Sequence, residues 1–175
     1  VTKSLKSTDA IRKIAERANT EYTLIYTKHT TLQWVNYAIE RLAAIAGDTD
    51  AAMAYADHFN VAGGNRVEAP VIDYQAGSLR DDFDFGSVLF YRSSMLKEAV
   101  NRMNVEYDFA GLYDLRLKVS QKGQLVHINE YLYDEIEDDN RKSGEKIFDY
   151  VDPKKRAVQI EMEQACTQHL KDIGG

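Results

Sequence analysis

Carboxylates dominate the side chains that could do chemistry in this 175-residue chain. Asp81, Asp82 and Asp84 stand together in Arg80-Asp81-Asp82-Phe83-Asp84, and Asp57 directly precedes His58. Such groups can take a proton from an attacking hydroxyl as a general base, or hold a divalent ion through hard oxygen ligands. The competing reading is a solvated acidic loop, which is common on a chain with 28 acidic and 22 basic residues. Asp114 differs because it lies in the mainly apolar stretch Phe109 to Val119, beside Arg116. There it is either a member of a structural ion pair or a catalytic acid.

Two other patterns are weaker. Ser94-Met95-Leu96-Lys97 followed by Lys142-Ser143-Gly144 mimics the serine and lysine motifs of penicillin-recognising enzymes. No Ser-x-Asn lies between them, so a helix cap and a turn is the better reading. Cys166 and His169 share a helix face at i and i+3, but two ligands alone do not make a metal site.

The elements that must position these residues can be read from periodicity. Ser7-Thr8-Asp9 caps a helix over about 9–18 in which Ile11, Ile14, Ala15 and Ala18 recur at helical spacing. The β-branched and aromatic run Tyr22-Thr23-Leu24-Ile25-Tyr26-Thr27 predicts a buried strand, with Lys28 and His29 at its carboxyl end. Leu32, Val35, Ile39, Leu42 and Ile45 predict a second helix over 31–46, closed by Gly47. A strand over 51–56 then ends in Asp57-His58, and Gly63-Gly64-Asn65 turns into a strand near 67–74. Residues 75–85 read as a loop, the kind of segment that carries function. A buried strand follows over 86–91, then a helix capped by Ser93 or Ser94, a helix over 110–121 and a strand over 125–133. Residues 134–139 read as a solvated acidic loop, and Asp152-Pro153 opens a C-terminal helix running to Gly174. No internal repeat or linker divides the chain, so one domain over 1–175 is expected.

Composition narrows the function. With 44% hydrophobic residues the chain can bury a core, and disorder is excluded. A net charge of -6 repels the phosphate backbone of nucleic acid, which argues against that partner while leaving room for a local basic pocket. Cys166 is the only cysteine, so an intrachain disulfide framework is excluded and a reducing, cytoplasmic setting is expected. No run approaches the roughly 20 apolar residues of a membrane span, and the opening residues lack the apolar core of a signal peptide.

Taken in order, several segments resemble family-2 glycosyltransferases. They are Ser7-Thr8-Asp9-Ala10-Ile11 with Glu21-Tyr22-Thr23-Leu24-Ile25-Tyr26, then Ala54-Tyr55-Ala56-Asp57-His58-Phe59, Gly86-Ser87-Val88-Leu89-Phe90-Tyr91-Arg92, Tyr113-Asp114-Leu115-Arg116-Leu117 and His127-Ile128-Asn129-Glu130-Tyr131-Leu132-Tyr133. The resemblance spans about 1–135. It implies an α/β fold of the GT-A type, a mixed and mostly parallel sheet flanked by helices, and transfer of a sugar from a nucleotide-diphosphosugar donor to an acceptor hydroxyl. It also implies a strand, a helix and a strand ahead of residue 1 that bind the base and ribose. A truncated domain is therefore expected, with an unpaired sheet edge and a tendency to form homo-oligomers.

Two positions depart from the family pattern. The Asp-x-Asp that would hold Mg²⁺ or Mn²⁺ reads Thr27-Lys28-His29, so the donor diphosphate is expected to meet Lys28 and His29 directly, without a metal cofactor. The Glu-Asp pair that carries the family's base reads Gly111-Leu112. The resemblance therefore implies donor contacts at Thr27, Lys28, His29 and Asp57, acceptor contacts at Arg80 and Asp81, and a base among Asp82, Asp84 and Asp114. The rival expectations are a catalytically degenerate sugar- or nucleotide-binding module, and an assembly domain docking through the C-terminal helix.

Overall fold

The computed structural model describes residues 4–137 and 153–175. The elements in chain order are α1 (Thr8–Arg17), β1 (Tyr22–Tyr26), β2 (Thr31–Trp34), α2 (Ala38–Asp48), β3 (Met53–Ala62), β4 (Asn65–Ala69), β5 (Val88–Arg92), α3 (Ser93–Asn101), α4 (Gly111–Ser120), β6 (Leu125–Ile136) and α5 (Pro153–Asp172). The strands form one sheet in the order β1-β5-β3-β6-β2, with β4 paired to β3. The three strands expected near 22–27, 86–91 and 51–56 thus lie side by side as β1, β5 and β3.

The sheet is mixed, as expected, but it is not mostly parallel. Four pairings are antiparallel, and only β3 with β6 is parallel. A parallel neighbour requires a long crossover. Here the chain turns straight back from β3 into β4 through Gly63 and Gly64, both at positive φ, and only the later passage through α3 and α4 returns a strand in the direction of β3.

Alternation along the strands divides the core into two faces. Met53 and Tyr55 of β3, Leu89 and Tyr91 of β5 and Ile25 of β1 pack beneath α1, α3 and α4. Ala54 and Ala56 of β3, with Val88 and Phe90 of β5, pack against Ala38, Leu42 and Ala46 of α2. The small β3 side chains let α2 approach closely. Outside α4 lies α5, which contributes Ala165 to a third cluster with Tyr113 and Leu117. No helix among the described residues is long and apolar enough to cross a membrane.

Several boundaries differ from the sequence reading. Residues 31–34, expected as helix, form β2, with Leu32 and Trp34 packed on the α2 face of the core and Trp34 opposite Tyr133 of β6. Tyr37, at φ 62, resets the backbone before α2 begins at Ala38. The β4 strand stops at Ala69 because Pro70 cannot donate to the ladder. Neither Ser93 nor Ser94 caps α3. Arg92 occupies the cap position, and the Ser93 hydroxyl instead lies 2.7 Å from that of Thr23. Asp134, Glu135 and Ile136 continue β6 rather than opening a solvated loop, and Glu135 is buried. Asp138, Asp139, Asp152 and the Lys142-Ser143-Gly144 pattern lie outside the described residues.

The β1 strand is an edge of the sheet. Ser93 N–H donates to Glu21 C=O (2.9 Å) and Thr27 N–H to Ser87 C=O (2.8 Å), which fixes the alternation. The backbone groups of Thr23 and Ile25 therefore face β5. Those of Tyr22, Leu24 and Tyr26 point away from it and have no strand partner among the described residues.

Candidate functional site

The end of β1 and the entry to β5 are tied together, and this junction organises the site. Thr27 donates to the Ser87 carbonyl twice, from N–H at 2.8 Å and from Oγ1 at 3.2 Å. Ser87 N–H donates in turn to the Tyr133 hydroxyl of β6 at 3.0 Å. Just before it, Gly86 adopts φ +71, and a Cβ there would lie 2.5 Å from the Tyr133 oxygen. Only glycine fits both the backbone and the space. Asp84 accepts the Gly86 N–H at 2.8 Å, closing a tight turn that leaves its carboxylate exposed.

Behind this turn sits a buried charged group. A bulge shifts the β3–β6 register at Asp57 and again before His58, so the ladder passes from Ala56↔Ile128 to Asp57↔Tyr131 and then His58↔Tyr133. Ordinary strand alternation keeps Asp57 on the Tyr55 face and His58 on the Ala56 face, and the shifted register sets His58 opposite Tyr133. His58 stacks on Tyr133 (5.1 Å, 5°), with Nε2 3.4 Å from Glu135 Oε1. Lys28, half exposed, reaches over from the β1 end and pairs with Glu135. Burial holds the His58 imidazole below its ordinary range; Glu135 opposes this shift and Lys28 reinforces it. Burial likewise raises the Tyr133 phenol.

On the other face Asp57 is 1% exposed. Its Oδ1 accepts Val71 N–H (2.9 Å) and lies 2.8 Å from His127 Nε2, while His127 Nδ1 lies 2.6 Å from Asp73. The His127 ring stacks on Tyr55 at 5.2 Å. Asp57 therefore anchors the segment after β4 and orients His127, and it is separated by the sheet from the Lys28 cluster. Glu135, Tyr133 and His127 were missed in the sequence. The alternation of Tyr133 and Glu135 at i and i+2 was the available signal for extending β6 through them.

Of the remaining candidates, Thr27, Lys28, His29, Arg80 and Asp81 line two clefts, and Asp82 and Asp84 line neither. A groove of about 1170 Å³ runs along β1 and α1 and is lined by Thr27, Lys28 and His29, together with Lys6, Lys13 and Arg17. Asp9, which pairs with Lys13, is its one carboxylate among the described residues. A smaller cleft of about 160 Å³ takes Arg80 and Asp81 from the 75–85 loop and adjoins the groove, since Lys6 and Leu112 line both. Leu112 is also the position where the sequence departs from the Glu-Asp pair. The loop is held by Arg116 of α4, 4% exposed, which donates to the carbonyls of Ser78 (2.7 Å) and Arg80 (2.6 Å).

Asp82 is exposed and bound by the Arg80 guanidinium at 3.0 and 3.2 Å, which lowers its carboxyl below the ordinary range. Asp114 is not brought to either cleft. It is buried where α4 meets α5, 3.3 Å from Lys118, which also reaches Asp172 at 3.3 Å. Burial pushes the Asp114 carboxyl up, against the pull of Lys118. Its sequence neighbour Arg116 is directed to the loop instead. Among the described residues no cluster of histidine, cysteine and carboxylate side chains is arranged to hold a metal ion.

No known protein-family model matches the sequence, and no curated protein matches it.

Proposed function

We propose that the chain is a glycosyltransferase of the GT-A kind, moving a sugar from a nucleotide-diphosphosugar donor to an acceptor hydroxyl. The observation that carries the proposal is the charge of the larger groove. A protein of net charge -6 gathers Lys6, Lys13, Arg17 and Lys28 around one cleft, where Asp9 pairs with Lys13 and the buried Glu135 with Lys28, so the lining cations outnumber the carboxylates that oppose them. Local positive potential on an acidic surface suits a polyanionic ligand. Lys28 stands just beyond the carboxyl end of β1 and lines the groove. At about 1170 Å³ the groove exceeds the roughly 300–1,000 Å³ of drug-sized ligand pockets, room enough for a nucleoside diphosphosugar.

In this reading the diphosphate lies against Thr27, Lys28 and His29. The acceptor oxygen forms its bond to the anomeric carbon as the bond from that carbon to the diphosphate oxygen breaks. The electron pair leaves on the diphosphate, where Lys28 meets the growing charge. The acceptor proton passes to a carboxylate. None of the three candidates lines either cleft; Asp84 is assigned the role because it is exposed at the turn that joins the β5 entry to the β1 end, whereas Asp82 is engaged by Arg80 and Asp114 lies between two helices.

Calorimetric titration with a nucleoside diphosphosugar, with and without Mn²⁺, tests the proposal. Binding that needs no metal and weakens at least tenfold in Lys28→Ala supports it. Strictly metal-dependent binding would remove the direct-contact argument, and no binding would favour a non-enzymatic role.

A further inference from the structure

Lys28 is claimed from two sides. Its half-exposed side chain lines the basic groove, yet its ammonium is paired with Glu135. Glu135 belongs to β6, which β5 and β3 separate from β1 in the sheet, and it does not line the groove. The pair therefore turns the cation inward, away from the outer edge of β1 along which the groove runs. An anion in the groove and the Glu135 carboxylate compete for the same ammonium.

The carboxylate does not give up that partner freely. Glu135 is 3% exposed, and its other oxygen, Oε1, makes no hydrogen bond among the described residues. A buried carboxylate deprived of its cation takes up a proton rather than stay charged. His58 is placed to share that proton: its buried imidazole is stacked on Tyr133, with Nε2 3.4 Å from Oε1. An added proton rests on Nε2 or on Oε1, and the two groups titrate as one unit. The other charges that face His58 are Lys28 just beyond β1, Asp84 ahead of β5 and Asp57 on its own strand. The strands β4 and β2 set only Ala69 opposite His58 and Leu32 opposite Glu135. Of these charges Lys28 alone opposes a positive imidazole. Its departure therefore favours the proton twice, by uncovering the carboxylate and by removing the opposing cation.

We infer that an anion in the groove draws Lys28 away from Glu135 and that the Glu135–His58 pair takes a proton from solvent as Lys28 leaves, so that anion binding is coupled to protonation of a buried pair. Lys28 stays an ammonium throughout, and the charge of the buried cluster is conserved because the proton replaces the departing cation. The anion site rests on the donor reading above, whereas the coupling requires no transfer chemistry.

The probe is the symmetrical dimethyl diester of diphosphoric acid, which is fully ionised near neutral pH and exchanges no proton there. It is titrated into the full chain by calorimetry in buffers of differing ionisation enthalpy, with the ring C–H of His58 followed by NMR. Binding should take up about one proton per chain, and affinity should fall by up to about tenfold per unit as pH rises from about 7 to about 8.5. Glu135→Gln keeps the shape of the side chain but removes both the competitor and the carboxylate. It should bind the probe about tenfold more tightly near pH ~8, with the proton uptake lost. Any proton taken by His29, which lines the same groove, persists in that variant, so the difference between the two proteins reads the buried pair. The wild-type proton count and pH slope stand on their own should Glu135→Gln fold poorly.

Proton-neutral binding at an affinity independent of pH would show that Lys28 bridges Glu135 and the anion without leaving. That result, or equal affinity in wild type and Glu135→Gln, would overturn the inference and leave the donor reading standing. No binding, or binding undiminished in Lys28→Ala, would overturn both. Proton-coupled binding of the probe by a chain that binds no nucleoside diphosphosugar would keep the coupling and remove the transferase.

Discussion

Lys28 and Glu135 are 107 residues apart in sequence, and their side chains close an ion pair across one end of the sheet. The two partners are unequal: Glu135 is 3% exposed, whereas the lysine is half in solvent. That inequality gives the pair a direction. Removing the cation strands a buried carboxylate beside a histidine whose burial disfavours its charged form, and removing the carboxylate frees an ammonium that can turn to water.

The asymmetry predicts opposite outcomes for the two single changes. Lys28→Ala should destabilise the fold by about 1–3 kcal/mol, the cost of an uncompensated buried group. Glu135→Gln should cost distinctly less, and the double variant should resemble Glu135→Gln alone. Urea unfolding of the four proteins measures this. If Lys28→Ala proves no more harmful than Glu135→Gln, Glu135 does not depend on Lys28. The same cycle serves the donor test, because Lys28→Ala in the Glu135→Gln background changes the cation without stranding a carboxylate.

Gly86 offers a sharper structural test. An alanine there would carry both a strained backbone at φ +71 and a Cβ 2.5 Å from the Tyr133 hydroxyl, which itself accepts from Ser87 and Val88. Gly77→Ala carries the strain alone, at φ +87 with open space around the new carbon. Gly77→Ala should cost about 1 kcal/mol and Gly86→Ala at least about 2 kcal/mol more. Thermal denaturation separates the two, and equal losses would show that Tyr133 yields without cost.

How much of this could be seen in the sequence depends on range. The α1 cap, β1, the Gly63-Gly64 turn and α4 are local patterns, and they form close to where capping, β-propensity and helical spacing put them. Residues 31–34 show where locality fails: Leu32 and Val35 fit a helical stripe, but pairing with β6 places Leu32 and Trp34 on the core and overrides it. The direction of the strands escaped for the same reason, since alternation reports burial and not orientation. The site divides likewise. Thr27 and Lys28 stand out in the sequence because they follow a β-branched and aromatic run, and Arg80, Asp81 and Asp84 because they cluster in a segment without periodicity. In the sequence Glu135 reads as part of a solvated run, and only the register with β3 brings it beneath Lys28. Asp114 and Arg116, neighbours in sequence, are led to different partners by the turn of one helix.

The histidines set the response to acid. Burial lowers both His58 and His169 from their ordinary 6.5, so between those lowered values and about 6.5 the unfolded chain binds more protons than the folded one. Stability therefore rises with pH through this window and is lost as pH falls through it. Asp114, raised, and Asp172, lowered, act with opposite signs nearer the ordinary carboxylate range. The melting temperature should drop by a few degrees between pH 7 and pH 5, and His58→Gln should flatten part of that slope. An unchanged slope in His58→Gln would mean that His58 does not charge on unfolding in this range.

Asp84 and Asp114 make the decisive comparison, because they are the same chemical group in two surroundings. Asp84 is exposed, and its hydrogen bond from Gly86 N–H to Oδ1 survives in an asparagine that keeps the acceptor oxygen. Asp84→Asn should therefore melt within a degree or so of wild type. As the proton acceptor of the proposed transfer it should lose on the order of a hundred- to ten-thousandfold in turnover. Asp114 is 2% exposed and shares Lys118 with Asp172. Asp114→Asn leaves a buried ammonium with one carboxylate instead of two, which should cost about 1–3 kcal/mol while leaving turnover of the folded fraction intact. Calorimetry and a donor-consumption assay on both variants read the two quantities separately. A turnover loss confined to Asp114→Asn would move the base to the α4–α5 interface, and wild-type turnover in Asp84→Asn would remove Asp84 from the chemistry.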